Sequence, residues 1–121
     1  MHELFICQAL ILQTQDIARQ RGATGVTGIT IELGPLSGVE PALLQSAYTL
    51  ARAGTLAWNA LLTIDVPPLR VRCRQCGHET EVRPNRLLCN DCGSFRTEVI
   101  SGDEMILKSL ALTFSGEASY V

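Results

Sequence analysis

Two Cys-x-x-Cys pairs, CRQC and CNDC, supply Cys73, Cys76, Cys89 and Cys92, with twelve residues between the pairs. Each pair can bring two thiolates to one ion at about 2.3 Å, and four complete a tetrahedron with no open position, the coordination of a structural zinc site. Gly77 and Gly93 follow the pairs. A knuckle that turns its backbone N–H groups onto the sulfurs needs a residue at ease with positive φ there, so the glycines fit the zinc reading mechanically. An iron–sulfur or rubredoxin-like iron site and a redox dithiol are the alternatives; the strand-and-helix setting of a redox motif is missing from this stretch. His78, two residues after Cys76, fits a bystander role once four thiolates satisfy the ion. The fifth cysteine, Cys7, stands alone in an apolar run and reads as a small buried hydrophobe.

A second candidate lies at the start, MHELFICQAL, where His2 is the one histidine outside the cysteine segment. A terminal amine, the amide nitrogen of residue 2 and the imidazole Nδ1 of a histidine there form adjacent chelate rings on one metal. Such nitrogen-rich, square-planar surroundings suit Ni(II) or Cu(II) rather than zinc. His2 is bulky enough that Met1 is expected to be retained, making the amine Met1's own. A cation at a helix N-terminus meets positive partial charge, which the carboxylates of Glu3 and Glu40 would offset.

Six of the ten basic residues, Arg70, Arg72, Arg74, Arg83, Arg86 and Arg96, crowd into the cysteine segment and raise the question of nucleic acid. Between 70 and 96, Glu79, Glu81 and Asp91 cut the excess to +3, and four thiolates with a divalent ion leave about +1. Phe95 is the only aromatic there to stack on a base. Neither feature favours a phosphate backbone.

The elements that must carry these residues follow from periodicity. From Leu4 to about Gln20 there is neither Gly nor Pro, and Leu4, Cys7, Ile11 and Ala18 recur at near-helical spacing, so a helix begins almost at the first residue. VTGITIEL alternates as a half-buried strand. After the turn-rich GPLSGVEP, Pro41 suits the first turn of a second helix running to about Arg52, with Leu43, Leu44, Ala47, Leu50 and Ala51 as its buried stripe and Gly54 as a stop. Leu62, Ile64 and Val66 alternate as a second strand closed by Pro67 and Pro68. MILKSLALTF forms a third, whose inside-outside pattern changes near Lys108 and Ser109, as a bulge would make it. The expected fold is α+β: a small three-stranded sheet with two helices, residues 1–68 and 101–121, interrupted by a zinc ribbon, residues 69–100. SGEASYV reads as a loose tail. A chain of 121 residues that is 46% hydrophobic and 18% charged fits one compact unit with a small module. Its apolar runs are too short for a bilayer span, which takes roughly 20 residues, and its start lacks a leader's basic region, so a cytoplasmic location is expected.

The segments MHELFICQAL, GVTGITIELGPLSGVEPALL, ARAGTLAWNALLTI and SGDEMILKSL, with the paired cysteines, closely resemble the hydrogenase nickel-incorporation metallochaperones of the HypA/HybF family, in order and to about Thr113. FI after MHEL and the run TLAWN are apolar variants on the family pattern. The resemblance implies a nickel-binding domain carrying His2 and Glu3, and a ribbon holding structural zinc on Cys73, Cys76, Cys89 and Cys92. Glu40 falls where members often carry an acidic residue near the nickel. It further implies a protein that is not an enzyme and hands Ni(II), as transient cargo, to the precursor of the [NiFe]-hydrogenase large subunit together with a nickel-binding GTPase; some members also serve urease maturation. No nucleic acid and no membrane enter that scheme. The alternative is a zinc-ribbon adaptor that binds protein or nucleic acid without nickel.

Overall fold

The computed structural model describes residues 2–115. Helix α1 spans His2–Gln20 and buries Cys7, Leu10, Ile11, Thr14 and Ala18, positions three and four apart that form one face. Each fully buried Leu or Ile of this kind contributes roughly 1.5–3 kcal/mol. Strand β1, Gly25–Leu33, follows, with Val26, Ile29, Ile31 and Leu33 buried. Helix α2, Pro41–Ala51, starts with Glu40 as its N-cap and Pro41 in the first turn, and packs on α1. Strand β2 is Leu61–Asp65 and β6 is Met105–Thr113. They flank β1 in a sheet of order β2-β1-β6.

Between β2 and β6 the chain forms β3, Leu69–Cys73, β4, Glu79–Val82, and β5, Thr97–Ser101, in an antiparallel sheet of order β4-β3-β5. Leu69, Val71 and Cys73 alternate into its small core. The α+β architecture with an inserted ribbon is therefore the one expected from the sequence. The last residues of SGEASYV, from 116 on, and Met1 lie outside the described residues.

Several details differ from the expected pattern. In α2 the inward residues are Leu44 and Tyr48, whereas Leu43 and Leu50 are more than half exposed. The helix has more apolar positions than one face can bury. Tyr48 wins because its hydroxyl donates to the Ala60 carbonyl at 2.7 Å, which satisfies its polar end inside. Val66 falls beyond the end of β2 and is exposed. In β6, Leu107 and Leu110 are both half-buried although three apart, so the parity change expected near Lys108 and Ser109 is present.

The chain packs as two units, Met1–Ile31 with Val39–Ile64 and Leu107–Val121, and Glu32–Gly38 with Asp65–Ile106. The loop after β1 thus groups with the ribbon. Gly34 donates to the Glu104 carbonyl at 2.9 Å and Leu36 to that of Gly102 at 2.8 Å. A Cβ on Gly34 would overlap the Gly102 carbonyl. Backbone cannot yield as a flexible side chain does, so Gly34→Ala is expected to lower stability by about 1–3 kcal/mol, read as a drop in the urea midpoint. Gly38→Ala makes the comparison, because Gly38 has open space around it but a φ of +79°. Its cost is conformational alone.

Candidate metal centres

The ribbon cluster is assembled by two short knuckles. Cys73 ends β3, and the next turn folds so that the N–H groups of Gln75 and Cys76 point at its sulfur, at 3.3 and 3.4 Å. Gly77 closes the turn with φ +77° and donates to the Cys73 carbonyl at 3.0 Å. The second knuckle repeats this. Asp91 and Cys92 donate to the Cys89 sulfur, both at 3.4 Å, and Gly93 at φ +74° donates to the Cys89 carbonyl at 2.9 Å. The two glycines sit in the left-handed region that a side chain disfavours.

The two knuckles face each other with Cys73 Sγ 3.6 Å from Cys92 Sγ and Cys76 Sγ 3.6 Å from Cys89 Sγ, and all four sulfurs lie within 4.8 Å of one another. Four ligands at about 2.3 Å from a central ion stand about 3.8 Å apart at the corners of a tetrahedron. The observed spacing matches that and is far too long for a disulfide. Thiolates this close cannot all ionise without a cation among them. The Cys73 thiol is lowered to about 6, chiefly by the Cys76 N–H, and Cys89 is lowered chiefly by the Cys92 N–H. Cys76 is drawn down by the His78 N–H yet ends up at about 12, through burial and the neighbouring sulfurs. A divalent ion removes that conflict. His78 is exposed and serves the knuckle through its backbone, accepting from the Cys73 N–H at 2.9 Å.

The arginines around the cluster are partly consumed by carboxylates across the sheet. Arg72 reaches Glu79 at 3.0 Å and Glu98 at 3.7 Å, Arg74 reaches Glu98 at 3.5 Å, and Arg70 reaches Glu81 at 3.5 Å. Glu98 follows residue 96 by two positions, and the antiparallel register of β3 with β5, which sets it opposite Arg72, brings it to these arginines.

At the other candidate site, His2 is the exposed first residue of α1 and Glu3 is half-buried in the first turn, one turn before Cys7. Glu40 caps α2, its Oε1 accepting from the Ala42 N–H at 3.5 Å, a long and weak bond. Leu44, one turn into α2, offers its carbonyl to the Cys7 thiol at 3.4 Å. Among the described residues, Cys73, Cys76, Cys89 and Cys92 are brought together as a metal-sized cluster, whereas His2, Glu3 and Glu40 do not form such a group of three. Met1 is outside the described residues.

Cys7 is fully buried, and burial, with the Glu3 carboxylate adding to it, pushes its thiol up to about 11. It is a neutral thiol at neutral pH, and the thiolate is the reactive form. In native protein Cys7 should therefore resist alkylation both before and after a chelator strips the ribbon, while the other four cysteines become reactive on stripping. Mass spectrometry counts the modified sites.

No described helix is long and apolar enough to cross a membrane. The family model for hydrogenase/urease nickel incorporation, metallochaperone, hypA matches residues 1–112. The chain is 48% identical over 112 residues to the hydrogenase maturation factor HypA of Nitrosospira multiformis, covering 93% of this chain and 97% of that protein. It is 43% identical over 112 residues to the HypA of Aquifex aeolicus, with the same coverage of 93% and 97%. The solution structure of the Ni metallochaperone HypA from Helicobacter pylori superposes with a TM-score of 0.69 at 23% identity, covering 93% of this chain and 98% of that one, a likeness of fold. The chain belongs to the HypA family of hydrogenase/urease nickel-incorporation factors, whose members are metallochaperones and not enzymes.

Proposed function

We propose that this protein binds Ni(II) as transient cargo at its N-terminus and delivers it to the precursor of the [NiFe]-hydrogenase large subunit, acting with a nickel-binding GTPase. The observation that carries the reading is the family match, which runs from residue 1 and so includes the start that holds His2. The first N–H groups of an α-helix have no partner within the helix, so the amide of His2, the exposed first residue of α1, is available together with its imidazole. With the Met1 amine they make a nitrogen-rich planar set suited to Ni(II). Glu3, in the first turn, places negative charge where the helix dipole otherwise opposes a cation, and Glu40 is assigned the same supporting role from the head of α2. Residues 1–68 with 101–121 form the nickel-handling part in this scheme, and residues 69–100 the zinc part. Cys73, Cys76, Cys89 and Cys92 hold zinc as a closed structural site, which supplies folding free energy and no chemistry. The setting is cytoplasmic, and urease maturation proteins are further candidate partners.

Nickel titration of protein with a native N-terminus tests the cargo half, and capture of the GTPase and the large-subunit precursor from hydrogenase-producing cells tests delivery. Zinc-loaded protein that takes up no near-stoichiometric nickel at neutral pH would instead favour the adaptor reading. Electrophoretic mobility of DNA and RNA is expected to be unchanged by the protein at physiological salt, because Arg70, Arg72 and Arg74 are already engaged by carboxylates and the net charge between 70 and 96 with the ion bound is only about +1.

A further inference from the structure

The ribbon's arginines fall into two sets. Arg70, Arg72 and Arg74 on β3 are paired with Glu81, Glu79 and Glu98, but among the described residues Arg83, Arg86 and Arg96 make no ion pair, and of these three Arg83 and Arg86 share one cleft. Arg83 and Arg86 are directly opposite each other in an isolated antiparallel bridge, closed by the Arg86 N–H donating to the Arg83 carbonyl at 3.0 Å. Residues opposed in this way have Cβ atoms about 5 Å apart, and like charges placed so repel. An anion between them would turn that repulsion into attraction.

The space beside them has a definite chemistry. Arg83 and Arg86 border an open cleft of about 690 Å³ that Pro68, Val82 and Leu88 line with apolar surface. That volume is within the range of ligand-sized sites. Its wall is tied by the Asn90 side-chain amide, which donates to the Glu81 carbonyl at 3.1 Å. Two planar guanidinium forks favour a carboxylate held bidentately. The apolar lining asks for a hydrophobic side chain next to it. Glu81, also at the cleft, is paired with Arg70 at 3.5 Å, so Arg83 and Arg86 are the charges left there to meet a ligand.

We propose that the cleft at the Arg83–Arg86 turn docks a short segment of a protein partner that presents one carboxylate beside an aliphatic side chain. The site is independent of the nickel chelate and does not rest on the proposed cargo. Full-length, zinc-loaded, 15N-labelled protein would be titrated with a capped pentapeptide carrying one glutamate between two leucines, and with its glutamine analogue. The expected result is saturable shifts confined to residues 81–93, with the glutamine analogue about tenfold weaker, as loss of a charge-assisted bond implies. Arg83→Gln with Arg86→Gln should abolish the shifts and Arg74→Gln should leave them. If the double variant fails to hold zinc, the comparison of the two peptides on unaltered protein still decides. Equal binding of the two peptides, shifts centred on Arg74 and Phe95, or the same shifts produced by inorganic phosphate at concentrations as low as those of the peptide would overturn the proposal.

Discussion

Cys73→Ala, and equally Cys92→Ala, is expected to lose the proposed zinc and unfold the ribbon while leaving α1, α2 and the sheet β2-β1-β6 intact. The ribbon's own apolar core is small: Leu69 and Val71 are its fully buried aliphatic side chains. A module of this kind draws its stability from the metal, on the order of 10 kcal/mol, which removal of one thiolate forfeits in large part. Cys73 is also the sulfur on which two backbone N–H groups converge, so its loss leaves the first knuckle without its organising acceptor. Far-ultraviolet circular dichroism should retain the helical signal, while amide resonances of the ribbon collapse into the unfolded range and elemental analysis finds no zinc. Global loss of helix would show that the two packing units do not fold separately. Gly34 and Leu36 bond to Glu104 and Gly102, so the loop that leads to Glu40 should broaden with the ribbon rather than with the helices.

His2→Ala is expected to weaken nickel binding on the order of 100-fold, about 2.7 kcal/mol, with no change in fold or zinc content. His2 is exposed, so its removal takes nothing from the core. One residue added ahead of Met1 should do the same, because it moves the terminal amine out of the fused chelate rings while keeping every side chain. Together the two variants separate a terminal chelate from a site built on side chains alone. Affinity should also fall as the solution is acidified, since an amine and an imidazole bind a metal only after giving up their protons. Isothermal titration with nickel, with zinc measured alongside, reads all three effects. Unchanged affinity in His2→Ala would remove the N-terminal chelate from the proposed function. An effect of Glu40→Gln on nickel affinity, without loss of α2 helicity, would place that carboxylate among the groups that respond to the ion.

The metal cluster was legible in the sequence because it is set by local spacing. Two residues between cysteines, followed by glycine, define a knuckle whatever the rest of the chain does, and the sulfurs duly converge. The extents of α1 and α2 were legible for the same reason: helical periodicity, the early Pro41 and the stop near Gly54 act within a few residues. Placing His2 at the head of a helix rested on the absence of Gly and Pro from Leu4 to Gln20 and on the near-helical spacing of Leu4, Cys7, Ile11 and Ala18. What the sequence by itself could not decide was which of several apolar residues faces inward. Tyr48 displaces Leu43 and Leu50 from the core of α2 because the Ala60 carbonyl, twelve residues on, awaits its hydroxyl. Nor could it show that the loop after β1 belongs with the ribbon, or that Arg72 and Arg74 share Glu98. Those outcomes depend on groups brought together from distant parts of the chain. Spacing along the backbone encodes local turns and helices, whereas the partner of a buried hydroxyl, a close glycine pair or a cross-strand charge exists only once the chain has closed on itself.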